Sequence, residues 1–280
     1  MQIVRQNAYA KLNLTLDITG VAGGYHLLDS LVCTVNLCDK IVVKKRKDRL
    51  VNITMHGAFV PPEENNALRA GELFVSRFQT TGADITVYKN IPIGAGMGGS
   101  SADAAGVLNA LAALYEVNDG QTIKELADVL GSDTGYLLTG GMARITGRGE
   151  RVEPLSTPEL WFLVLCPESG VSTAQCYRAY DEGGYSYSPR TQKACEEFAK
   201  GNFAEGARYF HNALYEAASS LNADVREALL DLKCFSPLGA GMTGSGSACF
   251  ALFENRTFCE WARSRYRGKC RSFILNTIVP

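Results

Sequence analysis

Pro92-Ile-Gly-Ala-Gly-Met-Gly-Gly-Ser-Ser-Ala-Asp-Ala-Ala105 carries four glycines, Gly94, Gly96, Gly98 and Gly99, within six positions. Glycine admits positive φ and lets another molecule approach the backbone N–H groups closely. Beyond them Ala104, Val107, Leu108, Leu111 and Tyr115 recur at helical spacing, which predicts a helix over 100–115. Ser100 reads as its N-cap, with Asp103 three residues on completing a capping box. N–H donors running into a helix N-terminus suit phosphate oxygens, whereas the bland alternative is a flexible turn before a buried helix. The segment has neither the Gly-Lys-Ser/Thr ending of a Walker A loop nor dinucleotide-binding spacing.

Working outward, residues 8–18 alternate strictly. Ala10, Leu12, Leu14, Leu16 and Ile18 face one way, and Lys11, Asn13, Thr15 and Asp17 the other, as in a half-buried antiparallel strand with Lys11 and Asn13 side by side. A Gly23-Gly24-Tyr25-His26 turn follows, then strands at 27–37, 41–44 and 51–54. Lys44–Lys47 reads as a solvated hairpin tip. Asn65 caps a helix, and Ile85, Val87 and Lys89 belong to a strand feeding the glycine segment. Thr122 and Glu125 suggest a second capping box for a helix that stops at Gly131. Asp133 then stands just past a helix C-terminus, where the helix dipole disfavours a carboxylate, so it is a functional candidate beside the commoner role of a turn residue.

Pro154–Pro158 is the best linker, giving domains at 1–155 and 156–280. The second half reads as a buried strand at 161–166, helices at 190–200, 203–219 and 223–233, and strands at 248–253 and 273–278. A second glycine-rich segment, Gly239–Ser247, precedes the first of those last two strands. The 280 residues are 46% hydrophobic and 20% charged, as in an ordinary globular protein, and a net charge of −1 speaks against a nucleic-acid partner. Nine cysteines show no metal-ligand spacing, and neither a signal peptide nor a long apolar span is legible. The expectation is a cytoplasmic protein that binds neither nucleic acid nor membrane, as a monomer or homodimer.

The glycine segment resembles the Pro-x3-Gly-Leu-Gly-Ser-Ser-Ala loop of the galactokinase, homoserine kinase and mevalonate kinase (GHMP) superfamily. It is closer to the variant in the diphosphocytidyl-methylerythritol kinases, Pro-x-Gly-Ala-Gly-Leu-Gly-Gly-Gly-Ser-Ser-Asp-Ala-Ala. Ala10–Asp39 resembles the same kinases' first signature, Pro-Ala-Lys-Ile-Asn-Leu with an Asp-Gly-Tyr-His turn. Gly131–Gly141 resembles their Leu-Gly-Ala-Asp-Val-Pro-Phe-x-Leu-x-Gly-Gly, and Gly239–Ser247 their Gly-Ala-x-Met-Ser-Gly-Ser-Gly-Ser. The resemblance extends over nearly all of the chain.

It implies an α+β fold of two domains, the first like domain 2 of ribosomal protein S5 and the second ferredoxin-like. It further implies an ATP-dependent kinase acting on the 2-hydroxyl of 4-diphosphocytidyl-2-C-methyl-D-erythritol. Gly94, Ala95, Gly96, Met97, Gly98, Gly99, Ser100 and Ser101 would hold the ATP phosphates, and Asn65 and Lys89 would line the adenine pocket. Asp133 would be the general base and Lys11 its partner. Tyr25 and Tyr177 would sandwich the cytosine with His26 reading its edge, Asn13 and Thr173 nearby and Thr243 near the diphosphate. Magnesium would accompany ATP, with no protein carboxylate assigned to it. This chain departs at Gly23, Ser100, Ala102, Thr134 and Gly135, which bears on ATP geometry and rate. The alternatives are another GHMP small-molecule kinase or an inactive ligand sensor on the same scaffold. Retention of both Lys11 and Asp133 argues against the sensor.

Overall fold

The computed structural model describes residues 2–279. In chain order its elements are β1 (Ile3–Asn13), β2 (Thr15–Ala22), β3 (Tyr25–Lys45), β4 (Val51–His56), α1 (Asn66–Phe78) and β5 (Ala83–Tyr88). Then come α2 (Gly99–Tyr115), α3 (Gly120–Leu130), α4 (Thr134–Leu137), β6 (Met142–Gly147), β7 (Arg151–Leu155) and β8 (Trp161–Cys166). The remainder holds α5 (Thr173–Gly183), α6 (Thr191–Ala199), α7 (Phe203–Ala207), β9 (His211–Asn212), α8 (Tyr215–Leu221), α9 (Ala223–Lys233), β10 (Gly239–Met242), β11 (Cys249–Phe253), α10 (Arg256–Arg265) and β12 (Arg271–Asn276). Contacts gather these into two units that do not follow chain order. One comprises residues 1–10, 37–91 and 98–140, the other 11–36, 92–97 and 141–280, so β3 passes from one to the other.

In the first unit the last part of β3 pairs antiparallel with β5, from Lys40 opposite Tyr88 to Lys45 opposite Ala83, and β5 pairs parallel with β4. Because β5 separates β3 from β4, the Lys44–Lys47 run is not the hairpin tip its composition suggests. Arg46 there is held by Asp48 at 2.7 Å and Asp84 at 2.6 Å. The apolar residues of α2 are sunk almost all round, and Tyr136, Phe74, Leu108, Leu111, Ile41 and Ile85 are among the large buried side chains of this unit. Gly106 lets α2 lie close on the sheet, since a Cβ there would stand 2.6 Å from Ile41 Cδ1.

In the second unit the first part of β3 pairs antiparallel with β2 and β6, and β6 with β7. A separate antiparallel sheet runs β10-β11-β8-β12. Leu163, Leu165, Ala251 and Phe253 from that sheet share one core with Leu214, at the N-cap of α8, and with Ala217, Val225, Leu229, Cys259 and Ala262 from α8, α9 and α10.

Three sequence expectations need correction. The alternation over 8–18 does not leave a wet face: Lys11, Asn13, Thr15 and Asp17 are all buried. Asp17 Oδ2 instead accepts the N–H groups of Arg190 and Thr191, each at 2.9 Å. The helix expected over 203–219 is broken, because His211 and Asn212 pair as a strand with Thr15 and Leu16 of β2. The α3 cap is Asp119, whose carboxylate accepts Thr122 N at 3.0 Å, rather than Thr122 itself. Helices α5 and α10 were not foreseen, whereas Asn65 does cap α1 and Gly131 does end α3. No helix among the described residues is long and apolar enough to cross a membrane.

Leu163, fully buried between its sheet and the α8–α9 layer, sets the scale of the core. Truncation of such a residue removes its transfer energy and leaves a cavity. Leu163→Ala is expected to lower stability by about 2–5 kcal/mol, read as an earlier midpoint in urea unfolding followed by circular dichroism.

Candidate active site

The second unit joins its two glycine segments through β1. Lys11 N donates to Met97 O at 3.0 Å, and the Lys11 ammonium is held by Asn13 Oδ1. That same oxygen accepts Gly244 N at 3.1 Å, while Asn13 Nδ2 donates to Ser30 Oγ at 2.8 Å. The Thr243 hydroxyl accepts Asn13 N at 3.0 Å and donates to Gly96 O at 3.2 Å. Gly94 O accepts Ser247 N at 3.2 Å and Val171 N at 3.4 Å, and Ala95 O accepts Ala248 N at 3.1 Å. Four consecutive carbonyls, from Gly94 to Met97, are thus turned onto neighbouring backbone and side chains. Across a trans peptide the next N–H points the opposite way, so those of Ala95, Gly96, Met97 and Gly98 face away from these donors.

Glycine is required at this junction by space as well as by φ. Gly96 has a φ of +72°, and a Cβ there would stand 2.2 Å from Thr243 O. At Gly244 a Cβ would meet Gly96 O at 2.6 Å. Thr243 is therefore buried in the junction, where its hydroxyl is spent on backbone groups of β1 and of the loop.

In the first unit α2 begins at Gly99 behind Gly98, whose φ of +74° occupies the N-cap position with no side-chain cap. Ser100 and Asp103 form no capping box. Ser100 Oγ accepts Asn66 Nδ2 at 3.1 Å, and Asp103 points inward to Lys89 Nζ at 2.5 Å. Lys89 also pairs with Asp39, whose other oxygen accepts Asn90 N at 2.5 Å and Ile91 N at 2.9 Å. All three charged side chains are at least nine-tenths buried, and Asp103 Oδ1 has no partner. Burial pushes the Asp103 carboxyl above the ordinary carboxylate range; the Lys89 charge opposes the shift and that of Asp39 adds to it. For Lys89, burial acts against the ammonium and the two carboxylates outweigh it, so its pKa is raised. The ammonium of Lys89, one of the residues expected at the adenine pocket, is thus already matched by two carboxylates.

Asp133 precedes α4 at its N-cap position, and its carbonyl accepts Leu137 N at 3.0 Å. It stands just past the end of α3, where the sequence placed it, and opens a single helical turn. A Cβ on Gly131 would lie 3.4 Å from Ser101 Oγ and 3.3 Å from Thr134 Oγ1, so the end of the glycine segment meets the turn that carries Asp133. Thr134 Oγ1 is buried without a hydrogen-bond partner among the described residues.

Tyr25, His26 and Tyr177, expected to recognise a base, lie in the second unit. His26 stacks on Tyr177 with centroids 4.7 Å apart, and its Nε2 lies 2.7 Å from Asp181 Oδ1. Tyr25 is exposed, with the Arg148 guanidinium 5.1 Å over its ring. Thr173 Oγ1 bonds Ser245 Oγ at 2.9 Å. Asn65 Oδ1 caps α1 by accepting Ala67 N and Leu68 N, and its Nδ2 contacts Met55 Sδ at 3.0 Å.

The family description for the N-terminal domain of GHMP kinases matches residues 65–143, and that for GHMP kinases C terminal matches 191–257. A 4-diphosphocytidyl-2-C-methyl-D-erythritol kinase of Bacillus subtilis (strain 168) is 32% identical over 272 residues, covering 95% of this chain and 94% of its own. That of Pelotomaculum thermopropionicum is 35% identical over 270 residues, covering 95% and 94%. The chain belongs to this family of GHMP kinases. A crystal structure of a 4-(cytidine 5'-diphospho)-2C-methyl-D-erythritol kinase shares its fold with a TM-score of 0.82 at 32% identity over 98% of each chain. An L. major mevalonate kinase in complex with R-mevalonate has the same fold, with a TM-score of 0.76 at 15% identity, covering 99% of this chain and 96% of its own.

The expected two-domain α+β kinase fold therefore holds for this GHMP kinase. Residues that sequence reasoning missed are the ones that hold the named ones in place. Ser30 and Asn212 had no motif to mark them, and Asn212 Nδ2 fastens Met242 O and Gly244 O, each at 2.8 Å. Among the described residues no group of three or more His, Cys, Asp or Glu could hold a metal ion.

The buried triad of this kinase has a consequence for stability. With its folded pKa raised, Asp103 binds more protons in the folded than in the unfolded chain above about pH 4, so its contribution to stability falls as pH rises. Asp103→Asn removes that term while leaving Lys89 paired with Asp39. The stability of the unaltered chain relative to the variant is expected to decline as pH rises from about 5 to about 7, whatever the offset from losing the Lys89–Asp103 pair, measured by urea unfolding across that range.

Proposed function

We propose that this kinase transfers the γ-phosphoryl group of ATP to the 2-hydroxyl of 4-diphosphocytidyl-2-C-methyl-D-erythritol, a step of the non-mevalonate route to isoprenoid precursors. The observation that carries this reading is the near-full-length identity to kinases of that name, spanning every signature segment. Phosphoryl transfer asks the protein chiefly to position groups and stabilise charge. The backbone from Gly94 to Ser101 holds the ATP phosphates, and the N–H groups of residues 95–98, turned away from the groups their neighbouring carbonyls bond just before α2 begins, support that role.

Asp133 removes the proton of the acceptor hydroxyl. That oxygen forms a bond to the γ-phosphorus as the bond to the β,γ-bridging oxygen breaks, and ADP leaves. Lys11, its ammonium fixed by Asn13, supplies positive charge where negative charge gathers on the transferring group. Magnesium, carried by the ATP phosphates, offsets their charge.

Tyr25 and Tyr177 sandwich the cytosine and His26 reads its polar edge. Asn13, Thr173 and Thr243 shape the region of the diphosphate, Thr243 through the loop it fastens. Asn65 and Lys89 wall the adenine pocket with backbone and aliphatic stem, since their polar ends are engaged. The enzyme works in the cytoplasm, where its substrates are made.

Phosphorylation of 4-diphosphocytidyl-2-C-methyl-D-erythritol, with homoserine and mevalonate as competing acceptors, tests the assignment; turnover of either of the latter in its place would overturn it. Asp133→Asn is expected to reduce kcat by about a hundredfold or more with binding of an ATP analogue retained, as removal of a general base does. Unchanged turnover would remove Asp133 from the reaction.

A further inference from the structure

His26 is the second residue of β3, which begins at Tyr25 directly after Gly23 and Gly24, whose φ values of +60° and +80° turn the chain. Three side chains of α5 surround it. Tyr177 lies under its ring at 4.7 Å with an interplanar angle of 29°, Tyr180 meets it edge-on at 6.1 Å, and Asp181 Oδ1 lies 2.7 Å from Nε2. Tyr177 and Asp181 are one helical turn apart, so a single face of α5 supplies both the stacking surface and the carboxylate. The His26 side chain is only 16% exposed, which leaves the imidazole little freedom, while that of Asp181 is 55% exposed.

We propose that Asp181 is a specificity-determining residue: it holds His26 as the Nε2–H tautomer and so leaves Nδ1 as an acceptor for the exocyclic amine of cytosine. The inference rests on the reading above in which His26 meets the base. With the carboxylate as acceptor the proton of the 2.7 Å bond sits on Nε2, and in that tautomer the lone pair is on Nδ1. Cytosine presents an N4 amino donor where uracil presents the O4 acceptor. The Nδ1 lone pair therefore meets a hydrogen in the first case and another lone pair in the second. A site built around one hydrogen-bond polarity rejects the opposite one because its own polar atom is left unpaired.

Asp181 acts through His26 and touches no reacting atom, so it is a positioning residue with a signature of its own. Removing it frees the imidazole to adopt either tautomer, which lowers discrimination between bases without altering the phosphoryl transfer. A merely structural role would instead lower turnover of both substrates together.

The experiment pairs ¹⁵N-edited NMR of the His26 ring with steady-state kinetics. Both are carried out on the unaltered enzyme, Asp181→Ala and Asp181→Asn, using the cytidine substrate and its uridine counterpart. The expected spectrum of the unaltered enzyme is that of the Nε2–H tautomer, giving way to a mixture in Asp181→Ala. The ratio of KM for the uridine to the cytidine substrate is expected to fall about tenfold in Asp181→Ala, with kcat on the cytidine substrate unchanged and Asp181→Asn intermediate. An Nδ1–H or doubly protonated ring in the unaltered enzyme would overturn the proposal, as would a KM ratio that stays within about twofold. Failure of the unaltered enzyme to phosphorylate the cytidine substrate at all would overturn the substrate reading instead. The NMR spectra alone would then decide whether Asp181 sets the tautomer.

Discussion

The carboxamide of Asn13 is the point on which the second unit's functional segments turn. Its oxygen accepts from the Lys11 ammonium and from Gly244 N, and its nitrogen donates to Ser30. Its own backbone N–H goes to Thr243, whose hydroxyl reaches Gly96. Each such bond contributes only about 0.5–1.5 kcal/mol net, but a buried donor or acceptor left without its partner costs about 1–3 kcal/mol. The network is therefore fixed less by the strength of any one bond than by the cost of leaving it incomplete. With Lys11 N on Met97 O it sets the direction of the carbonyls of Gly96 and Met97, while Ser247, Val171 and Ala248 fix those of Gly94 and Ala95, and peptide planarity then sets the direction of the N–H groups that follow them.

Close approach explains why this arrangement needs glycine. Gly96 and Gly244 lie backbone against backbone, with no room for a Cβ on either. Fastened in this way, the loop is pre-organised instead of merely flexible, which suits a site that must offer donors to charge without reorganising. In the first unit the same economy of contact is met with charge. Asp39 anchors the peptide N–H groups of Asn90 and Ile91, and Lys89 bridges Asp39 to Asp103 in the first turns of α2. The segment entering the glycine stretch is thereby tied to the helix leaving it.

Much of this was legible in the sequence, for identifiable reasons. The helical spacing after Ser101, the Asn65 cap, the β8 run from Trp161 to Cys166 and the end of α3 at Gly131 are local signals, and each is found in the fold. The failures around the glycine segment and β1–β2 share one cause, which is tertiary pairing that overrides a local pattern. Ser100 and Asp103 fit a capping box, yet a buried Lys89 draws Asp103 inward and Gly98 takes the cap position. Lys11, Asn13, Thr15 and Asp17 read as a wet face, yet partners far along the chain, such as Thr243, Gly244, Arg190 and Thr191, cover them. His211 and Asn212 sit in a helical pattern that β2 claims for a strand. Site residues with motifs around them could be named in advance; those that hold them, such as Ser30, Asn212 and Asp181, carry no local mark.

In the proposed reaction, N–H groups of the Gly94–Ser101 segment grip the triphosphate of ATP. A crystal structure with a non-hydrolysable ATP analogue tests it most directly. Phosphate oxygens within about 3 Å of N–H groups in that segment are the predicted result. Density for the triphosphate elsewhere on the chain, with those N–H groups bound to water, would contradict it.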